Sequence, residues 1–95
     1  MAKLKVQSDN SERLKILLNG AIENELKLIK LGISKTESML RNFEKKFNMS
    51  SDHFYDLFQK GQMGDDSDYI CWAGEVETLE RLKNEFTELI EVEIF

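Results

Sequence analysis

The chain lacks proline and has only five glycines in 95 residues, so few positions in it interrupt a helix. Charged residues make up 33% of the chain, which is rich in Glu and Lys and also contains many Leu and Ile. This composition is typical of long amphipathic helices and argues against a sandwich or a barrel. The length is that of one domain, which we expect to span residues 1–95.

Cysteine and long apolar runs are also scarce. Cys71 is the only cysteine, which excludes an internal disulfide framework and is typical of a reducing compartment. No apolar run approaches the roughly 20 residues that cross a bilayer. Residues 1–10 contain no apolar core of a secretory signal. We therefore expect a cytoplasmic protein that does not enter a membrane.

The charges are divided unevenly along the chain. Residues 1–50 contain ten basic and six acidic groups, a net charge of +4. Residues 51–95 contain three basic and twelve acidic groups, a net charge of −9. Because an acidic half repels phosphates, general binding of nucleic acid is not expected. A basic protein partner, or the first half of the chain itself, suits this half better.

Apolar residues recur at spacings of three and four through the first half, which indicates one buried side of a helix. Asp9 and Glu12 have the spacing of a capping box, and the pattern predicts a helix over residues 10–48. Gly32 is a position where this helix could break or bend, and one long helix is the favoured interpretation. The apolar residues on this side are Leu14, Leu18, Ile22, Leu26, Ile29, Ile33, Leu40, Phe43 and Phe47.

A second apolar line lies beside the first one in the same helix. It consists of Ile16, Leu17, Ala21, Leu28 and Leu31. In so small a chain, a helix that is apolar on more than one side needs a second surface to cover it. We therefore expect the protein to dimerise or form a larger oligomer.

Two further helices are predicted in the second half. Ser50 or Ser51 is a suitable N-cap for a short helix, and Gly61 suits the C′ position that ends it. The carboxylates within residues 65–68 then begin a last helix that runs to Ile90. Because the connections are short, the two long helices should be antiparallel neighbours. The predicted fold is mainly α, an antiparallel hairpin of a long, a short and a long helix.

Both ends of the chain alternate polar and apolar residues. This pattern predicts short strands at residues 3–7 and 90–94, which could pair within one molecule or across a dimer. The lysines of the first segment and the glutamates of the second would favour that pairing. The alternative is a frayed N-terminus and a helix that continues to the C-terminus.

Residues that could carry chemistry are few and poorly spaced. His53 is the only histidine, and no serine or cysteine lies at a spacing that predicts nucleophilic catalysis. Asp65, Asp66 and Asp68 have only the first spacing of an EF-hand loop, so we expect helix capping there. Cys71 lies in an acidic, apolar-looking helix, where a small buried side chain is expected. We predict no enzyme activity, no metal and no cofactor.

Aromatic residues are concentrated around the second turn. They are Phe43, Phe47, Phe54, Tyr55, Phe58, Tyr69 and Trp72. Such a cluster usually forms the core at the end of a helical hairpin. The alternative is that some of the rings form a hot spot for a partner.

One segment around this turn is similar to a pattern found in short prokaryotic proteins. It comprises Phe47-Asn48-Met49-Ser50-Ser51, Phe54-Tyr55, Phe58, Gly61, Gly64-Asp65-Asp66, Asp68-Tyr69, Trp72 and Glu75. The chain resembles antitoxin components of toxin–antitoxin gene pairs over roughly residues 10–94, although Asn48 replaces the glycine of the pattern. The resemblance implies a protein-binding inhibitor without catalytic residues, and its partner would be a compact, ribonuclease-like toxin.

The charge pattern agrees with such a role. An inhibitor of a basic, RNA-cleaving protein should offer carboxylates that compete with phosphate, together with apolar anchors. The predicted partner-binding residues are Asp65, Asp66, Asp68, Tyr69, Trp72 and Glu75. The alternative function is a self-assembling helical protein with a structural or scaffolding role.

Overall fold

The chain folds as a helical hairpin in a computed structural model that describes residues 3–4 and 10–94. Helix α1 (Ser11–Phe47) and helix α3 (Ser67–Ile90) are the two long arms, and helix α2 (Ser51–Gln59) connects them. The two arms pack against each other. The prediction of a mainly α hairpin with a long, a short and a long helix is confirmed.

Helix α1 continues through Gly32 without a break. At about 1.5 Å per residue, its 37 residues span about 56 Å, close to the 59 Å length of the molecule. The helix begins at Ser11, with Asn10 as the N-cap residue. Asp9, which the capping-box spacing suggested as the cap, lies outside the described residues.

Gly32 allows a close approach of the two arms. A Cβ atom built on it would lie 3.2 Å from Leu82 Cδ1 of helix α3, which is tighter than ordinary contact. The absence of a side chain at this position therefore lets Leu82 pack directly on the backbone of α1. Gly32 serves the packing of the helices, and the favoured prediction of one long helix through this position is confirmed.

Helix α1 ends at a residue in the left-handed conformation. Asn48 is the C-cap residue, with φ 50° and ψ 50°, and its N–H donates to the carbonyl of Glu44. Glycine adopts this conformation at the lowest cost, and asparagine tolerates it better than most other residues. Asn48 is therefore a suitable residue for this helix end.

Helix α2 begins and ends with the signals expected from the sequence. Ser50 is the N-cap, and its Oγ accepts a hydrogen bond of 3.1 Å from the N–H of His53. Gly61 lies just after the C-cap at φ +72°. The N–H of Gly61 donates to Phe58 and that of Gln62 donates to Leu57, which is the Schellman arrangement. Both predictions for this helix are confirmed.

Short strands also occur near the two ends of the chain. Strand β1 (Lys3–Leu4) and strand β2 (Glu93–Ile94) are paired in parallel, with Lys3 opposite Glu93. The longer strands predicted at residues 3–7 and 90–94 are not shown. Ile90 belongs to α3, and residues 5–7 lie outside the described residues.

Two of the glycines in the long helices, Gly32 and Gly74, should respond differently to alanine. Gly74→Ala is expected to raise the free energy of unfolding by about 0.5–1 kcal/mol, because alanine favours helix and the new Cβ meets no atom within 4 Å. Gly32→Ala should raise the free energy of unfolding by less, because Leu82 must move to make room for the new Cβ. Urea unfolding at one protein concentration measures both changes, and a loss of stability in Gly74→Ala would contradict the open space at that position.

Candidate functional site

The most closely packed part of the molecule is the aromatic end of the hairpin. Trp72 of α3 and Phe54 of α2 are fully buried, and their rings stack with centroids 3.9 Å apart and an interplanar angle of 4°. Phe43 and Phe47 of α1 stack on the same indole at centroid distances of 5.6 and 5.5 Å. Trp72 therefore joins all three helices, and this group of rings forms the core.

A chain of hydrogen bonds accompanies these rings. The indole Nε1 of Trp72 donates to Ser51 Oγ at 2.9 Å in a buried position. The backbone N–H of Ser51 in turn donates to the carboxylate of Glu44 at 2.8 Å. One residue at the start of α2 is thus bonded to both long helices, which fixes the short helix across the end of the hairpin.

Two of the predicted partner-binding residues contribute mainly to this core. Trp72 has no exposed surface, so its predicted direct contact with a partner is wrong for this fold. Tyr69 is half-buried and packs against Phe47, with ring centroids 5.2 Å apart. The core interpretation of the aromatic cluster therefore holds for Trp72 and Phe54, while Tyr69 keeps part of its surface in solvent.

The predicted carboxylates lie around the start of α3. Asp66 is the N-cap of the helix and accepts a hydrogen bond of 2.8 Å from the N–H of Asp68. Asp65 and Asp66 are exposed, whereas Asp68 and Glu75 are half-buried. The structure brings the three aspartates together at one end of the molecule, and Glu75 lies about two helical turns further along α3.

Asp68 is partly neutralised by a lysine from the other arm. Lys46 Nζ of α1 lies 2.6 Å from the Asp68 carboxylate. This hydrogen bond and the charge of Asp68 raise the pKa of Lys46 above its ordinary value. The pairing leaves Asp65 and Asp66 as the carboxylates at this end that are best placed to meet another molecule.

A second group of carboxylates lies on the outward side of α3. We call the shallow depression of about 360 Å³ between these side chains the acidic face, which is lined by Glu77, Glu80, Arg81, Asn84, Glu85 and Glu88. Within it, Arg81 pairs with Glu85 at 3.0 Å. Helix α3 as a whole has six acidic and two basic residues, a net charge of −4. The acidic face is therefore negative in spite of Arg81.

The acidic face continues onto helix α2 through a tyrosine. Tyr55 OH donates to Glu77 Oε1 at 3.0 Å and accepts from Gln59 Nε2 at 2.9 Å. Desolvation and the neighbouring Glu77 raise the pKa of Tyr55 above its ordinary value. The acidic side of helix α3 follows from the sequence, but the residues of the acidic face are not among the predicted partner-binding residues, which end at Glu75. The repeated glutamates at helical spacing were the signal for them.

The remaining candidates for chemistry are separate and exposed. His53 lies on the surface in the first turn of α2. Cys71 is exposed, so its predicted burial is wrong, because the side of α3 that carries it faces away from α1. Among the described residues, no three His, Cys, Asp or Glu side chains are close enough to hold a metal ion.

The other unusual surface is on helix α1. Several large apolar side chains on one side of this helix are exposed to solvent, and Leu17, Leu28 and Leu31 keep 58%, 54% and 67% of their surface accessible. They belong to the second apolar line of the sequence. Within residues 3–4 and 10–94, no helix is both long and apolar enough to cross a membrane.

Comparison with known proteins adds no assignment. No family model matches the chain, and no curated protein or solved structure matches it significantly. The surfaces described above are therefore the basis for any functional proposal.

Proposed function

We propose that this protein is a cytoplasmic protein-binding module without enzymatic activity, which acts as an antitoxin-like inhibitor of a small basic protein. The observation that carries the proposal is the acidic face of α3, together with the exposed carboxylates of Asp65 and Asp66 at the start of that helix. A basic protein that binds RNA has a positive surface for phosphate, and a rigid row of carboxylates competes for it.

The helical scaffold supports this role. The aromatic core around Trp72 holds the start of α3 against α1 and α2, so the carboxylates are presented from a regular helix. A surface that is ordered before binding loses less conformational entropy on association. The half-buried Tyr69 beside the aspartates supplies some apolar contact area at the same end.

A binding measurement with charge variants tests the proposal. The probe is the product of the adjacent gene, where that gene encodes a small basic protein. We expect the unmodified chain to bind it and Glu80→Gln/Glu88→Gln to bind about tenfold more weakly, a loss of about 1.4 kcal/mol. Calorimetric titration at low and at physiological salt measures both, and the difference should shrink as salt screens the charges.

The matched control removes two exposed glutamates from α1, in Glu12→Gln/Glu23→Gln, and so makes the same change in net charge. It should bind within about twofold of the unmodified chain, since exposed charges distant from an interface contribute little. Equal weakening by both double variants would show a dependence on net charge alone and contradict the acidic face as the binding site. Absence of binding by the unmodified chain would reject the proposal.

The exposed apolar side of α1 favours a second candidate function, a self-assembling helical protein with a structural role. Sedimentation equilibrium of the chain alone at micromolar concentration tests it. A stable oligomer is expected, and a strict monomer would reject this candidate. The two candidates are compatible, because the acidic face and the apolar side lie on different helices.

A further inference from the structure

Helix α1 is much longer than the helix that packs against it. Phe47 meets Tyr69 at one end of the hairpin, and Lys30 Nζ lies 5.6 Å from the ring centroid of Phe86 towards the other. At the same rise per residue in both helices, Ile90 at the end of α3 comes level with about residue 25 of α1. Residues 11–24 therefore extend beyond α3. Strand β2 also contacts α1, and Leu18 and Ile22 are half-buried, but the side of this segment that carries Leu14, Leu17 and Ala21 is exposed.

The exposed apolar residues begin in this extension and follow a regular repeat. The positions are separated by three and four residues in alternation, and all six side chains are exposed. Five of them are apolar and Asn24 is polar; the set is Leu14, Leu17, Ala21, Asn24, Leu28 and Leu31. We call this set the α1 seam. Alternation of three and four is the a/d repeat by which helices pack as coiled coils. The seam lies roughly 100° around the helix from Ile29, which is buried against α3.

The apolar part of the repeat stops after Leu31. The next positions of the same repeat are Lys35, Ser38, Asn42 and Lys45, all of them polar and exposed. A packing partner should therefore cover residues 14–31 and avoid the rest of the helix.

The seam is self-complementary about its own centre. We propose that two copies of this chain pair through their α1 seams as an antiparallel dimer, with the two-fold axis between residues 22 and 23. This register places Leu14 opposite Leu31 of the second copy, Leu17 opposite Leu28, and Ala21 opposite Asn24. Each layer then contains one a and one d position, as antiparallel packing requires. The inference deepens the self-assembly candidate and rests on it.

The antiparallel direction follows from the lysines of the repeat and from the packing surface that residues 11–24 find on the second copy. A parallel pair in register would place Lys35 against Lys35 and Lys45 against Lys45, and like charges in a packed seam are destabilising. In the antiparallel register these lysines lie beyond the overlap, which covers about residues 11–34. The exposed side of each extension then packs on the part of the other copy's α1 that α3 backs, and the helix dipoles oppose each other favourably.

The exposed area is large enough for this interface. The chain has 6935 Å² of accessible surface, whereas a folded monomer of its mass has about 5,700 Å². The excess of about 1,200 Å² exceeds the roughly 800 Å² that each partner contributes to an interface of standard size. The radius of gyration of 18.7 Å also exceeds the value of about 12 Å for a compact chain of this length.

Disulfide trapping tests the register in the full chain. In a Cys71→Ser background, Leu14→Cys/Leu31→Cys is oxidised mildly, and the linked peptides are identified by mass spectrometry. The two positions are about 25 Å apart in one helix and cannot bond within one chain. We expect cross-links between positions 14 and 31 of different chains. Cross-links of 14 to 14 and of 31 to 31 would overturn the antiparallel register while leaving self-assembly intact.

A pair of charge substitutions tests the seam itself. Leu17→Glu should convert the dimer into a monomer in sedimentation equilibrium at micromolar concentration, because it places two carboxylates in the apolar seam. Ile16→Glu is the matched control, since Ile16 is 71% exposed but lies outside the seam. It should remain dimeric. A monomeric unmodified chain would reject both the dimer and the self-assembly candidate, and a dimeric Leu17→Glu protein would reject the seam.

Discussion

Replacing Phe54 with alanine is expected to lower the free energy of unfolding by about 3–5 kcal/mol, the usual cost of removing a buried phenyl ring. Phe54 is fully buried and stacks on Trp72 at 3.9 Å, and its ring also contacts Phe58 and Tyr69. A domain of this size has a total stability of about 5–14 kcal/mol, so the variant should lose a large part of it. Urea unfolding followed by circular dichroism measures the change.

The control for this prediction comes from the same short helix. Phe58 is half-buried and makes a tilted contact with Phe54 at 5.6 Å, so Phe58→Ala should cost clearly less than Phe54→Ala. Both variants are compared at one protein concentration, because self-association would make the apparent stability depend on concentration. Equal losses in the two variants would contradict the position of Phe54 at the centre of the core.

Replacing Ser51 with alanine is expected to lower the free energy of unfolding by about 1–3 kcal/mol. The substitution removes the acceptor for Trp72 Nε1 and leaves a buried N–H without a partner, which costs its full desolvation energy. Urea unfolding measures the loss. Ser50→Ala provides a neighbouring comparison, because it removes the N-cap of α2 at a typical cost of about 1 kcal/mol without touching the indole.

A double-mutant cycle separates the hydrogen bond from the serine itself. Trp72→Phe removes the indole N–H, so in that background Ser51→Ala should cost less than about 0.5 kcal/mol, as a substitution without a lost partner does. The same cycle with Ser50→Ala should show additive losses. Additive losses for Ser51 and Trp72 would contradict the energetic importance of their hydrogen bond.

Local signals in the sequence predicted the helix ends well. Ser50 caps α2, Gly61 ends it in a left-handed conformation, and Asp66 caps α3. These predictions hold because a cap depends on hydrogen bonds between residues two to five positions apart. The start of α1 was placed within one residue of its observed position by the apolar periodicity, and its N-cap residue is Asn10.

The candidate site was predicted less well, because burial depends on residues far apart in the sequence. The spacing of Trp72 along its helix is compatible with a core residue and with a surface residue. Trp72 is buried because Phe43, Phe47 and Phe54 of two other helices pack on its ring. Cys71, in contrast, was predicted to be buried and is exposed. It lies next to a buried residue, but the helix turns its side chain about 100° away from the core.

The sequence by itself determined three amphipathic helices, their ends, their order and the division of charge between the two arms, because periodicity and capping are local properties. Only the tertiary structure decided that α1 continues through Gly32, that Trp72 is covered on several sides, and that the α1 seam remains exposed. Each of these depends on where α3 lies against α1. Which side chains meet across that interface depends on their distances in space. The spacing of residues along the chain does not specify those distances.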